Sequence, residues 1–151
     1  MKINNKLLDE KLFEEKSSIS CICTKNTNST STSTPTKLPI TSHVSTGSKL
    51  RVSNNKIYAD ESCTVLVFGQ IYVTAGVSST SIGISLHILK NGSQTLRSLC
   101  AVPNNWRTIN FAGGILNLSA GDYVEIGFVS GDKAGITVGA GETTFITLKE
   151  I

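Results

Sequence analysis

The stretch that decides the fold reads CTVLVFGQIYVTA and covers residues 63–75. Apolar side chains recur along it with the two-residue period of a β-strand, beginning at Val65 and Val67. The intervening positions also carry apolar groups in the first half of the stretch, namely Leu66 and Phe68. A strand with two apolar faces is typical of one buried between two layers. The pattern therefore predicts a long strand at the centre of a sandwich.

Further short strand-like runs, separated by turn signals, extend outward from this stretch in both directions. The run IGISLHILK (82–90) places apolar side chains on one face and ends at Asn91–Gly92, the strongest hairpin signal in the chain. No helical pattern interrupts residues 38–151. We therefore predict an all-β, jelly-roll-like sandwich of about nine or ten antiparallel strands over these residues.

The first 37 residues have a different composition, and we predict that they form an anchoring arm outside the jelly-roll domain. Leucines at helical spacing indicate a short amphipathic helix near the start of the chain. A helix of about three turns does not persist alone in water, so it is either a docking anchor or a frayed tail. The residues of the predicted apolar face are Ile3, Leu7, Leu8, Leu12 and Phe13.

Behind this helix, nine of the thirteen residues 24–36 are serine or threonine, and none is a large apolar residue. Such a composition cannot bury a core by itself and is typical of a linker. Alternating serine and threonine also tolerate an extended path if a partner supplies hydrogen bonds. We expect this part of the arm to be held in place by other chains.

Composition excludes several classes of function. The chain has 151 residues, and its net charge of +3 comes without a cluster of Lys and Arg, so we predict no nucleic-acid partner. No apolar run is long enough for membrane insertion, and residues 1–16 lack the apolar centre of a signal peptide. We therefore expect folding in a cytoplasm.

The four cysteines predict no metal site. Cys63 and Cys100 fall within strand patterns and are expected to be small buried hydrophobes. Cys21 and Cys23 form a C-x-C pair in a polar segment, but a second pair or a histidine cluster is missing from the sequence. We expect reduced thiols and no cofactor.

No catalytic motif is present, and we predict that the protein is not an enzyme. The sequence lacks G-x-S-x-G, H-E-x-x-H and the P-loop. Asp122 lies in a turn signal and is expected to cap that turn. Asp132 and Glu142 flank a glycine-rich stretch and could hold Ca²⁺, although a complete calcium loop is missing. A hydrolase with an unrecognised site stays open as an alternative.

One candidate ligand site is built around the only tryptophan. Trp106 and Arg107 follow Asn104 and Asn105, and an aromatic face beside a planar donor suits stacking on a sugar ring. The alternative is that Trp106 packs in the core or between subunits.

The order of motifs resembles the globular heads of complement-type proteins and the tumour-necrosis-factor-like domains. The resemblance covers roughly residues 38–151 and rests on four stretches. They read VLVFGQIY (65–72), ILKNG (88–92), LNLSAGDYVEIG (116–127) and TFITL (144–148).

The chain lacks the collagen-like stalk and secretion signal of the animal members, and it looks closer to bacteriophage tail, baseplate and head-fibre proteins. The opening MKINNKLLDEKL is similar to the start of tail-fibre proteins. The resemblance implies a homotrimeric virion protein, assembled in the host cytoplasm. Residues 1–37 would bind other virion proteins, and the jelly roll could contact a host glycan. The alternative is a stand-alone carbohydrate-binding module.

Overall fold

The computed structural model describes residues 15–75, 82–102, 108–131 and 136–151. Within them the chain is all-β, and its strands pair in two antiparallel sheets that pack face to face, which confirms the predicted jelly-roll sandwich. No helix in these ranges is long and apolar enough to cross a membrane. The strands are β1 Ser18–Cys23, β2 Thr27–Asn28, β3 Thr36–Lys37, β4 Ile40–Thr46, β5 Leu50–Ser53, β6 Lys56–Ala59, β7 Cys63–Ala75, β8 Ile82–Lys90, β9 Ser93–Val102, β10 Thr108–Leu118, β11 Tyr123–Ser130, β12 Thr137–Val138 and β13 Gly141–Glu150.

The first sheet, here called sheet I, has β7 near its centre. Its order is β10-β7-β13-β1-β4, and the short strands β12 and β2 continue from the end of β7. The second sheet, sheet II, has the order β9-β8-β11-β6-β5, with β3 also paired to β11. Sheet II contains two hairpins of consecutive strands, β5–β6 and β8–β9, whereas most neighbours in sheet I come from distant parts of the sequence.

The core lies between the two sheets and is almost entirely aliphatic. The odd-numbered residues of β7 supply one side of it, and Val65, Val67, Ile71 and Val73 are fully buried. The facing side chains of β8 and β11 supply the other side, including the fully buried Phe128. Burying a valine or isoleucine side chain contributes about 1.5–3 kcal/mol, so this layer accounts for much of the stability.

The prediction that β7 is buried on both faces is wrong. Its even-numbered residues point away from sheet II, and Leu66 and Phe68 are 48% and 39% exposed. The physical reason is that no described segment of this chain covers the outer face of sheet I. The second apolar face of β7 therefore lies on the surface of the protomer.

The predicted arm is wrong in its second half, because residues 18–37 belong to the sandwich. β1 lies between β13 and β4 in sheet I, and it buries Ile19, Cys21 and Cys23 in the core. The predicted boundary at residue 38 therefore falls inside the domain. The predicted N-terminal helix lies outside the described residues.

The Ser/Thr-rich segment pairs with strands of its own chain, whereas we expected other chains to hold it. Its strand β3 extends sheet II by pairing with β11, and the Lys37 ammonium binds the buried Glu125 carboxylate at 2.8 Å. A side chain at Gly127 would come within 2.9 Å of the Thr36 carbonyl oxygen, so the close approach of this segment requires glycine there. Residues 29–37, here called the strap, thus lie along β11, and Thr32 and Ser33 line a cavity together with Ser85 and His87 of β8.

The predicted turn at Asn91–Gly92 is confirmed. Both residues have positive φ, 51° and 78°, as the tightest two-residue hairpin turn requires. Asp122 caps the next turn, also as predicted. Its carboxylate accepts hydrogen bonds from the Asn91 side chain at 2.7 Å and from the Ser119 backbone N–H at 2.8 Å, and it pairs with Lys90. The hydrogen bond from Asn91 is the main reason that the Asp122 pKa falls to about 2.

Candidate interaction surface

The outer face of sheet I carries a continuous group of apolar side chains, here called the apolar face. Strand pairing places Ile115 opposite Leu66 and Ile109 opposite Tyr72, so side chains of β7 and β10 point to the same side. Phe111 lies between them and is 61% exposed. The residues of the apolar face are Leu66, Phe68, Ile109, Phe111, Ile115 and the half-buried Phe145 of β13.

Three aromatic rings form the centre of the apolar face. The ring centroid of Phe68 lies 5.9 Å from that of Phe111 and 5.9 Å from that of Phe145, within the range of favourable aromatic pairs. A Cβ at Gly113 would lie 3.3 Å from the Phe68 ring, so the absence of a side chain there lets the ring lie against the strand. The rings are packed on one another and still present their outer sides to solvent.

Small polar side chains border the apolar face where β13 meets β1, and the exposed Val44 of β4 lies beyond them, opposite Ser20. Ser20 and Thr147 lie side by side on the outer surface, and their hydroxyls are hydrogen-bonded at 3.0 Å. Lys149, near the C-terminal end of β13, is a charged residue beside Leu66 on this side. An apolar centre with a small polar border is typical of a protein–protein interface.

The outer face of sheet II has a different character, because the strap covers part of it and polar residues line the rest. On β8, Ser85 and His87 point outward and are nevertheless nearly buried. The Ser85 hydroxyl lies 2.8 Å from His87 Nε2, which is the distance of a nucleophile–base pair. His87 Nδ1 has no hydrogen-bond partner among the described residues, whereas a catalytic triad would hold this atom with a carboxylate.

The two sets of site residues predicted from the sequence lie outside the described residues. This holds for the anchoring set Ile3, Leu7, Leu8, Leu12 and Phe13, and for the sugar-stacking set Asn104, Asn105, Trp106 and Arg107. Both sets stay predictions. Asp132, one of the two residues considered for Ca²⁺, is also outside, and the described Glu142 is exposed and faces His43 at 3.9 Å.

The cysteines are free thiols in a protein interior. Cys63 is buried as predicted, whereas Cys100 is only partly buried, and Cys21 and Cys23 are buried although we predicted a polar surrounding. Burial raises the pKa of the Cys21 thiol to about 11, so this group is protonated and poorly suited to bind a metal. In the described ranges no group of three potential metal ligands comes together.

Sequence reasoning missed the apolar face. The signal was present in the even-numbered residues of β7 and in the alternation of Ile109, Phe111 and Ile115 on β10. Alternation shows that a strand has an apolar side, but it does not show whether that side meets the other sheet or solvent. Only the pairing of β10 with β7 brings these residues together.

No family model and no curated protein sequence matches this chain. Similar solved structures exist. Murine APRIL at pH 5.0 superposes with a TM-score of 0.71 at 13% identity, over 91% of this chain and all of that chain. Eiger TNF from S. frugiperda superposes with a TM-score of 0.65 at 16% identity, over 90% of this chain and 92% of that chain. At such low identity the likeness concerns the fold, and the chain has a tumour-necrosis-factor-like jelly-roll fold.

Proposed function

We propose that the protein is a homotrimeric, non-enzymatic structural module of a bacteriophage virion, a surface appendage of the tail, baseplate or capsid. The observation that carries the oligomeric part of this proposal is the apolar face of sheet I. A monomer rarely leaves a contiguous group of large apolar side chains in water, and such groups mark interfaces. Here the group includes three aromatic rings and two isoleucines.

A second copy of the same chain is the occupant that best fits this face. The face is apolar and has hydroxyls at its border, and its described residues offer no row of charges to select a partner of opposite charge. Closed cyclic assembly buries the same surface on every copy. The proposal of three copies per assembly rests on the sequence resemblance to trimeric jelly-roll heads.

Attachment to the particle is assigned to the N-terminal segment. Since β1 and β3 belong to the two sheets, we assign the anchoring role to the residues before β1. Ile3, Leu7, Leu8, Leu12 and Phe13 would supply its apolar contacts with other virion proteins. Three such segments on one trimer would bind more tightly than a single copy through multivalency. This part of the proposal rests on the resemblance of residues 1–12 to tail-fibre proteins.

Light scattering on the purified full-length protein tests the oligomeric part. A mass of three chains at micromolar concentration is the expected result. A monomer would overturn it and favour the alternative, a stand-alone carbohydrate-binding module. Immunogold labelling of purified phage particles tests the location, with label on tail, baseplate or capsid expected and unlabelled particles as the contrary result.

A further inference from the structure

A cavity of about 420 Å³ opens on the outer face of sheet II, on the opposite side of the sandwich from the apolar face. Ser85 and His87 of β8 line its floor, and Arg97 and Gln94 of β9 line one side. Thr32 and Ser33 of the strap line the other side. The strap therefore turns the outer surface of the sheet into a concave site, which is the shape that small-molecule binding requires.

The charge and hydrogen-bonding groups of this cavity select an anionic ligand. Arg97 is the only charged residue among the described residues that line it, and it lies directly opposite His87 across the β8–β9 pair. No described carboxylate forms an ion pair with Arg97. A guanidinium offers a planar fork of donors that matches a carboxylate and so gives bidentate recognition.

The remaining lining groups match a ligand with several hydroxyls. Thr32, Ser33 and Gln94 place two hydroxyls and an amide around the opening. His87 is only 5% exposed, and its Nδ1 atom has no hydrogen-bond partner among the described residues. A buried polar atom without a partner costs about 1–3 kcal/mol, so a ligand or a water that satisfies it is favoured. Burial and the charge of Arg97 lower the pKa of His87, and the side chain of Gln94 opposes this shift in part.

We propose that this cavity binds an acidic sugar, a ligand in which one carboxylate accompanies several hydroxyls. Arg97 binds the carboxylate, and the polar side chains of the strap and of β9 bind the hydroxyls. The site differs from the sugar-stacking set around Trp106 and needs no aromatic platform. It also does not depend on trimer formation, because the apolar face belongs to the other sheet.

The test is a titration of the full-length protein with glucuronate and, in parallel, with glucose, two sugars that differ by a carboxylate in place of a hydroxymethyl group. Isothermal calorimetry gives the affinity, and TROSY amide shifts give the location. We expect millimolar binding of glucuronate, shifts at Ser33, Ser85 and Arg97, and at least about tenfold weaker binding of glucose.

Arg97→Gln is the informative variant, because Arg97 is exposed and glutamine keeps a donor while it removes the charge. It should weaken glucuronate binding about tenfold or more. Arg51→Gln is the matched control, since Arg51 is also exposed but lies on β5, where it pairs with Asp60. The Arg51→Gln variant should bind glucuronate with the affinity of the wild type. Absence of glucuronate binding at tens of millimolar, equal binding of glucose, or unchanged binding by Arg97→Gln would each overturn the assignment.

Discussion

Replacing Phe111 with alanine tests whether the apolar face holds copies of the chain together. Phe111 lies at the centre of this face, and 61% of its surface is exposed in the protomer. Full burial of a phenylalanine contributes up to about 3 kcal/mol, so covering the exposed part contributes about 1.5–2 kcal/mol per protomer. Three copies in a trimer would lose about 5 kcal/mol, which lowers the association constant by a factor of about 10³–10⁴.

The protomer itself should survive this substitution. The ring contacts Phe68, and an aromatic pair of this kind contributes about 0.5–1.5 kcal/mol, which is small compared with the stability of a domain of this size. Circular dichroism should therefore show the same β spectrum with a modestly lower midpoint of thermal unfolding. Phe111→Glu should prevent association more completely, because it would bring one carboxylate per protomer into an apolar contact.

Sedimentation velocity over a range of concentrations measures the change. The wild-type protein should sediment as a trimer at micromolar concentration, and Phe111→Ala should dissociate at concentrations where the wild type does not. Leu99→Ala is the matched control, because Leu99 is 67% exposed but lies on sheet II. If the Phe111 and Leu99 variants sediment alike, the apolar face is not the interface and the reasoning fails.

Three further predictions concern other parts of the chain. Deleting residues 1–14 should leave a soluble trimer that no longer joins virions in a complementation assay, whereas deleting residues 1–37 removes β1 and should yield insoluble protein. Because the Asp122 pKa is lowered from 3.8 to about 2, its contribution to stability is complete above about pH 4 and is lost as the pH falls toward 2. Asp122→Asn should therefore unfold more easily at pH 6 than the wild type in urea titrations, with a difference that narrows toward pH 2. Finally, ester, peptide and glycan substrates should show no turnover, and any turnover that His87→Gln abolishes would make the Ser85–His87 pair a catalytic site.

Elements that depend on neighbouring residues could be predicted from the sequence. The Asn91–Gly92 turn forms because both residues accept positive φ, and that preference is local. The alternation along β8 correctly placed Ile84, Leu86 and Ile88 on one face, because the side-chain period of a strand is fixed by its geometry, and all three are fully buried. The jelly-roll class followed from such local patterns taken together.

β1 was missed because its stability comes from distant pairing. Its sequence, SISCIC, alternates with a period of two, but the buried members include two cysteines and the others include two serines, so the segment looked polar. Its neighbours are Ile40–Thr46 and the last strand of the chain, so Ser18 pairs with Lys149. Composition cannot report a partner that lies more than a hundred residues away.

The cavity on sheet II was beyond sequence analysis for a related reason. The alternation along β8 does place Ser85 and His87 outward, but it does not show that Thr32 and Ser33 of the Ser/Thr-rich segment line the same cavity. Nor does it show that Arg97 lies opposite His87, since that depends on the register of the β8–β9 hairpin, which contains an irregularity near Leu89. Local patterns show on which side of a strand each residue lies. To locate a site, one must also know the register between strands and the position of a third segment.

The outer faces of the two sheets differ in polarity, and this difference determines which face would be exposed in an assembly. The outer face of sheet I is apolar and is covered by none of the described segments, while the outer face of sheet II is polar and carries the strap with its Lys37–Glu125 ion pair. If copies associate through sheet I, the aromatic rings become interior and the strap and the cavity stay at the periphery. A trimer would then carry three copies of the cavity, which would turn a millimolar affinity for one acidic sugar into a much tighter attachment to a surface that displays many. Under these two proposals, the same sheet arrangement would separate assembly from ligand recognition within one small domain.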